Sequence, residues 1–454
     1  MEGGAERDGR FCLVGAGPGG MCAARWLAAL GVPFDGFERQ RDFGGIWDID
    51  VPGTPMYETC HFISSRDLSG FPGDPMPADY PDYPRHDLVL RYLRGHAERH
   101  ELRPRFRFGT EVRSARPEAG GWSVELDPGG RRRYAGLIVA VGNEWRPSLP
   151  DIPGSFSGER MHPSAYRSPD HLRGRRVLVV GGGNSGCDIA VDAATHAARA
   201  AISLRRGYHF VPKHILGRPA DVFASTGPPL PGWLERPLLQ ALLRLLTGDL
   251  TRLGLPAPDH RIFETHPILN GAILDRLAHG DLVVRPDVER FEERRVVFRD
   301  GRAEEYDLVI LATGYRRGVP FFAPGVLRDD DVSELFLNVF HDRFPELVVI
   351  GHFTTDAGAY PLLDRQAELV ARVLATRRAG SAADGVLERA RRGPRPDFTR
   401  GVRYKPVARM VNYVSRPYRR YLERLDRRAA LSGPVPAPGF RTTLTATLAL
   451  PGPS

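Results

Sequence analysis

The chain has 454 residues, 42% apolar and 26% charged, which is enough for two domains with separate cores. Its formal charge is +8, but only Lys213 and Lys405 are lysines and the arginines run through the whole chain, which reads as arginine usage rather than a nucleic-acid surface. Residues 1–10 are polar, no apolar run reaches the ~20 residues of a membrane span, and Cys12, Cys22, Cys60 and Cys187 have neither C-x-x-C nor metal-ligand spacing, so a cytoplasmic protein without a metal site or integral membrane contact is expected.

The first element is "RFCLVGAGPGGMCAARWLAALGV". Phe11–Val14 predicts a short buried strand; Gly15, Gly17 and Gly20 form G-x-G-x-x-G; Ala23, Ala24, Leu27, Ala28 and Leu30 suit a helix packed on a sheet. Gly31 ends that helix, and "VPFDGFER" resumes a strand closed by Glu38, 23 residues after Gly15. In such a turn the first glycine permits the bend, the second admits a pyrophosphate and the third seats the helix. The helix N-terminus, with Pro18 and Gly19 in its first turn, adds partial positive charge. A carboxylate at Glu38 accepts hydrogen bonds from a ribose and repels a 2′-phosphate. The competing reading is a merely structural turn.

Leu137–Pro150 ("LIVAVGNEWRPSLP") reads as a buried strand ending in small residues and glycine. "FSGERMHPSAY" (Phe156–Tyr166) has neither a helical stripe nor strand alternation and reads as a crossover between domains. The glycine pattern then returns. Val177–Val180 is the strand, Gly181, Gly183 and Gly186 the triplet, with Asn184 and Ser185 inside it, and Ala201–Leu204 the next strand. The position matching Glu38 holds Arg205, 24 residues after Gly181, followed by Arg206. A guanidinium suits a phosphate there. The first site then prefers a cofactor without a 2′-phosphate and the second prefers NADPH; the alternative for Arg205 is a solvated surface arginine.

"PLLQALLRLL" (Pro237–Leu246) predicts an apolar helix that packs in the core or lines a substrate route, or else meets a membrane or a second copy, so a homodimer stays open. Leu308–Phe321 repeats the strand-and-glycine pattern of Leu137–Pro150, with Thr313 and Gly314 at its end. Val414–Arg428 reads as a solvated helix, and the Pro-, Thr- and Ala-rich residues after it as poorly ordered. The expected fold class is α/β, with two Rossmann-like dinucleotide-binding domains. The NADPH domain (166–315) is inserted into a split FAD domain (1–165 and 316–454).

F-x-G-x-x-x-H-x-x-x-Y ahead of a second glycine loop resembles the fingerprint of class B flavoprotein monooxygenases, whose branches are the flavin-containing, Baeyer–Villiger and N-hydroxylating monooxygenases. "ERQRDFGGIW" (Glu38–Trp47), "YPDYPRHDLVLRYL" (Tyr80–Leu93), "FETHPILN" (Phe263–Asn270), "LATGY" (Leu311–Tyr315) and "GAYPLLDRQAELVARVL" (Gly358–Leu374) are similar to segments of the flavin-containing branch. The likeness spans nearly the whole chain. It implies FAD on Gly15, Gly17, Pro18, Gly19, Gly20, Glu38, Arg39, Gly45, Ile46 and Trp47, with Trp47 beside the flavin, and with Thr313, Gly314 and Gln366 contributing from later segments. It implies NADPH on Gly181, Gly183, Asn184, Ser185, Gly186, Arg205 and Arg206. His162 would organise the linker and the NADPH cleft rather than move a proton.

The cycle implied by the resemblance runs from hydride transfer to FAD, through a C4a-hydroperoxyflavin shielded by retained NADP⁺, to attack on its distal oxygen by an amine or sulfide of a small molecule. The partners are that substrate and O2, with no nucleic acid. One departure stands out. Aligned on Tyr57 and Phe71, Ile63 occupies the place of the family's asparagine and cannot donate a hydrogen bond; His61, Ser64 or Ser65 could substitute. The rival readings are a Baeyer–Villiger enzyme acting on a ketone and an NADPH oxidase releasing hydrogen peroxide, which Ile63 makes credible. A disulfide reductase would need C-x-x-C, and a non-catalytic binding protein is opposed by two intact cofactor sites.

Overall fold

The apolar run Phe11–Val14 forms β1, buried at every residue. Side chains alternate along a strand. Phe11 and Leu13 therefore join the core under the helices, while Cys12 and Val14 join the core against an antiparallel meander on the other face. The computed structural model describes residues 9–226, 232–329, 334–380, 384–399, 412–413 and 415–429. From β1 the chain enters α1 (Pro18–Ala29) and returns as β2 (Phe34–Glu38). The short α2 (Arg66–Ser69) and the amphipathic α3 (His86–Arg99) precede β3 (Phe106–Phe108). The meander is β4 (Glu111–Glu118), β5 (Gly121–Asp127) and β6 (Gly130–Tyr134), and β7 (Gly136–Val139) then goes back beside β1. β1 lies between β2 and β7, parallel to both.

The chain next leaves this sheet. β8 (Gly154–Phe156) pairs with a side sheet and β9 (Glu159–Met161) with the second main sheet, so the crossover begins before His162. β10 (Arg176–Val180), α4 (Asn184–His196) and β11 (Arg199–Ser203) repeat the first βαβ unit. A hairpin of β12 (His214–Ile215) and β13 (Arg218–Pro219) leads to α5 (Ala220–Thr226), α6 (Gly232–Thr247) and α7 (Ala272–His279). β14 (Leu282–Arg285), the antiparallel β15 (Val288–Glu293), β16 (Arg295–Phe298) and β17 (Ala303–Glu305), and finally β18 (Leu308–Leu311) close the unit. The second sheet is all parallel, in the order β14-β11-β10-β18-β9.

The last third returns to the first sheet. β19 (Leu335–Phe336), β20 (Phe340–His341) and β21 (Leu347–Val349) complete the order β19-β20-β21-β7-β1-β2-β3. β22 (Thr354–Thr355) leads to α8 (Tyr360–Arg378), which packs on α1. There Asp364 pairs with Arg25 and accepts from Trp26 Nε1 at 2.9 Å. α9 (Asp384–Arg392) follows; β23 (Asn412–Tyr413) pairs with β22, and α10 (Ser415–Ala429) ends the described chain. The expected C-terminal helix is present, but it is not solvated all round. Tyr418, Leu422 and Leu425 recur at helical spacing and are buried, because that stripe packs on α8 and α9. The apolar helix expected at 237–246 is α6. Leu243 is buried and Leu239 lines the central cavity, whereas Leu238, Leu245 and Leu246 face outward. The tail expected to be poorly ordered lies outside the described residues.

Candidate active site between two glycine loops

At the end of β1, Gly15 takes φ +103°, and a Cβ there would sit 2.5 Å from the Ala140 carbonyl oxygen. After β10, Gly181 matches it with φ +112° and 2.4 Å to the Ala312 carbonyl oxygen. Only glycine is comfortable at either turn. The next glycines leave room instead. A Cβ on Gly183 would meet nothing within 4 Å, and one on Gly17 would meet only the Gly45 Cα at 3.6 Å. Gly17 and Gly183 are also the N-caps of α1 and α4, and no side chain caps either helix. Uncapped N–H groups with open space above them form an anion site, so each loop could hold a pyrophosphate.

Glu38 ends β2 with its carboxylate fixed at the first loop, accepting from Ala16 N at 2.7 Å and Gln40 N at 2.8 Å. The Arg39 guanidinium lies over Trp145, 4.6 Å from the ring centroid. At the matching end of β11, Arg205 is exposed and Arg206 is half-buried. Arg206 stacks on Tyr208 at 5.1 Å, and the Tyr208 ring closes on Gly182 of the second loop, where a Cβ would be 2.8 Å from Cε2. Arg206 Nη1 is buried without a hydrogen-bond partner. An orphaned cationic donor beside a phosphate loop fits a 2′-phosphate.

One cavity of about 980 Å³ joins the two loops. Gly15, Gly17, Pro18, Glu38, Arg39, Gly45, Ile46 and Trp47 line it from the first unit, and Gly183, Asn184, Ser185, Gly186 and Gly314 from the second. Trp47 stacks on Phe62, with centroids 4.8 Å apart and planes at 8°. Next to Phe62, Ile63 is 47% exposed and faces the cavity, as do His61 and Ser64. His61 Nδ1 donates to the Thr59 carbonyl at 2.8 Å, and Ser64 Oγ is 2.8 Å from Ser69 Oγ. Ser65 is buried, with its N–H donating to Asp221 Oδ2 at 2.7 Å.

The F-x-G-x-x-x-H-x-x-x-Y segment docks at three places. Phe156 packs on Phe291 of β15 at 5.3 Å. His162 Nδ1 accepts from Ser164 N at 3.2 Å, so Nε2 carries the hydrogen and donates to the Gly314 carbonyl at 3.0 Å. Burial lowers the pKa of that ring and keeps it neutral. Tyr166 donates to Asp192 Oδ2 at 2.9 Å, and Thr59 Oγ1 reaches the same oxygen at 2.6 Å. One turn earlier on α4, Asp188 accepts from Tyr57 at 3.1 Å and from Asn270 at 2.6 Å. Burial pushes both carboxyls up; the Lys213 charge and the bonds from Tyr57 and Asn270 oppose it at Asp188, and the bonds from Thr59 and Tyr166 oppose it at Asp192.

The family model described as flavin-binding monooxygenase-like matches residues 8–413. The chain belongs to the flavin-binding monooxygenase-like family. It is 33% identical over 320 residues to indole-3-pyruvate monooxygenase YUCCA1 of Oryza sativa subsp. japonica, covering 68% of this chain and 77% of that protein. It is 30% identical over 397 residues to flavin-containing monooxygenase 1 of Mus musculus, covering 80% and 73%. An open crystal structure of cyclohexanone monooxygenase superposes with a TM-score of 0.69 at 19% identity, covering 93% of this chain and 98% of that one. The protein is therefore a flavin-dependent monooxygenase of the two-dinucleotide-domain fold, and its cofactors are FAD and NADPH.

Some of the expected residues of the monooxygenase stand behind the cavity rather than on it. Gly19, Gly20 and Gly181 shape the loops from behind. Thr313 Oγ1 donates to the Ser148 carbonyl at 2.6 Å and so ties together the two segments that connect the units. Gln366 is wholly buried. Its Oε1 accepts from Gly351 N at 3.0 Å and its Nε2 donates to Tyr418 Oη at 2.7 Å, which anchors α10 to the cavity floor. Arg205 and Arg206 lie at the edge of the second loop, outside the lining. Sequence reasoning missed Asp188, Asn143 and Arg416, which do line the cavity. The acids Asp188 and Asp192, four apart on the helix after a glycine loop, were a readable signal. Arg416 offered none among so many arginines.

Proposed function

We propose that the enzyme consumes NADPH and O2 to place one oxygen atom on a soft nucleophilic atom, an amine nitrogen or sulfide sulfur, of a small molecule, with water as the second product. The observation that carries this reading is the single cavity into which both glycine loops open, because two dinucleotides must meet there for electrons to pass between them. FAD and NADPH, when bound, supply the redox chemistry. The protein residues bind, orient and exclude water. In our reading Gly15, Gly17, Glu38 and Gly45 hold FAD, with Trp47 stacked on Phe62 as a rigid wall beside the flavin. Gly183, Asn184 and Ser185 hold the NADPH pyrophosphate, and Arg206, with Arg205, its 2′-phosphate. Neutral His162 and the Tyr166–Asp192 bond support the linker between the units.

We divide the chain into a first FAD part (1–165), an NADPH part (166–315) and a second FAD part (316–454), and infer a cytoplasmic location. Among the described residues no helix is long and apolar enough to cross a membrane. A second reading, oxygen insertion beside a carbonyl, is favoured by the names of the relatives that act on indole-3-pyruvate and cyclohexanone. The test is turnover of thioanisole and of cyclohexanone under ¹⁸O2. Labelled sulfoxide supports the first reading and labelled lactone the second. NADPH oxidation that ends only as hydrogen peroxide with both compounds would overturn both.

A further inference from the structure

Among the described residues two guanidiniums line the cavity without an ion pair: Arg39, which lies over the Trp145 ring, and Arg416. Arg416, in the first turn of α10, is half-buried. Its contact is a long 3.5 Å hydrogen bond from Nη2 to the Ser225 carbonyl of α5, and among the described residues it has no carboxylate within ion-pair distance. None of the carboxylates that line the cavity lies within ion-pair distance of it, and Asp356, next to β22, accepts from Thr355 Oγ1 at 3.2 Å. Asp221 accepts from Ser65 N at 2.7 Å and Val222 N at 2.9 Å. Glu38 accepts from two backbone N–H groups, Asp188 from Tyr57 and Asn270, and Glu111 pairs with Arg113 at 2.9 Å. Glu144 has no such partner, but it lies by Cys60 and Tyr315.

Arg416 is held in place from three sides. β23, just before it, pairs with β22, whose Thr354 and Thr355 line the cavity. Two residues after it, Tyr418 is buried and bonded to Gln366. Ser225 lies one turn after Asp221, which holds the 61–65 segment that carries Ile63 and Ser64. The guanidinium is thus brought to the side of the cavity where those residues stand. On the same helix Arg419 is paired with Glu423 at 3.7 Å, so that carboxylate is engaged too. A guanidinium that lines a cavity without an anion is a receptor for a planar anion.

We propose that Arg416 binds a carboxylate on the substrate, so that the enzyme oxygenates small molecules bearing a soft nucleophile and an acid group. This rests on the oxygen-transfer reading above, and the two can fail separately. The test uses 4-(methylsulfanyl)benzoate and its methyl ester with FAD-loaded enzyme, measuring kcat/KM for oxygenation and, apart from turnover, affinity by calorimetry with NADP⁺ present. The wild type should prefer acid to ester. Arg416→Gln should lower that preference about ten- to a hundredfold, as expected for loss of one hydrogen bond to a charged group, and Arg416→Lys should restore part of it. Flavin retention by both variants shows that they fold. Acid-selective binding that needs Arg416, without oxygenation of either compound, upholds this inference and sinks the oxygen-transfer reading. Equal affinity of the wild type for acid and ester, or an Arg416→Gln effect on NADPH affinity with the acid preference intact, overturns it.

Discussion

At the scale of single residues, Ile63 carries the sharpest consequence. It stands beside Phe62, which stacks on Trp47, and presents a branched apolar side chain to the cavity at 47% exposure. The neighbouring polar groups are partly occupied, His61 by Thr59 and Ser64 by Ser69. The Ile63 side chain has no hydrogen-bond donor to offer a cofactor, and a missing bond to a partly charged group costs about 1–3 kcal/mol. The wild type is therefore expected to release part of its reducing equivalents as hydrogen peroxide. Ile63→Asn should cut peroxide formed per NADPH consumed by about tenfold, since ~1.4 kcal/mol is a factor of ten. A peroxidase-coupled assay beside NADPH oxidation measures it; unchanged leakage would mean that Ser64 or another group already holds that position.

At the scale of elements, two aspartates of α4 form a latch, Asp192 to Tyr166 of the linker and to the Thr59 hydroxyl, and Asp188 to Tyr57 and Asn270. Tyr166 has no exposed surface, so removing its hydroxyl leaves Asp192 one donor short with no water to replace it. Tyr166→Phe should destabilise by about 1–2 kcal/mol and Asp192→Ala by more, because two hydroxyls then lose their acceptor. Urea unfolding of both single variants and the double variant gives the coupling; strictly additive losses would show that the bond contributes nothing. The two βαβ units behind this latch were legible because the glycine spacing and the apolar strands have no other cheap explanation. Their edges were less so. The strand expected at Ala201–Leu204 runs over Arg199–Ser203, since chain polarity near a strand end says little about pairing. α10 was misread as solvated because its arginines mask a stripe at Tyr418, Leu422 and Leu425 that becomes buried only when α8 and α9 are in place. Arg416 was out of reach altogether, for the neighbours that define it come from elements far away in the chain.

At the scale of the whole molecule, buried neutral histidines set the acid limit. His352 is 3% exposed, and burial, with Arg317 nearby, pushes its pKa down to about 4 from the ordinary 6.5. His96 and His162 move in the same direction, burial again the main cause. Below the ordinary value the unfolded chain takes up protons that the folded chain refuses. Stability is therefore full above about pH 6.5 and falls as pH drops toward 4, by up to ~1.4 kcal/mol per pH unit for each such group. His352→Leu should flatten the dependence of unfolding free energy on pH between 6 and 4.5 by about that slope, whatever it does to stability at pH 7; an unchanged slope would mean that the ring is protonated in the fold. The pairing of β23 with β22 bears on how the enzyme could be altered. One wall of the reaction chamber is threaded back from the far end of the chain, and the family match stops at residue 413, just before Arg416. A mutant library confined to the matched scaffold would leave that side chain untouched, whereas exchanging residues 415–429 between relatives would retune what the chamber accepts and leave both nucleotide loops as they are.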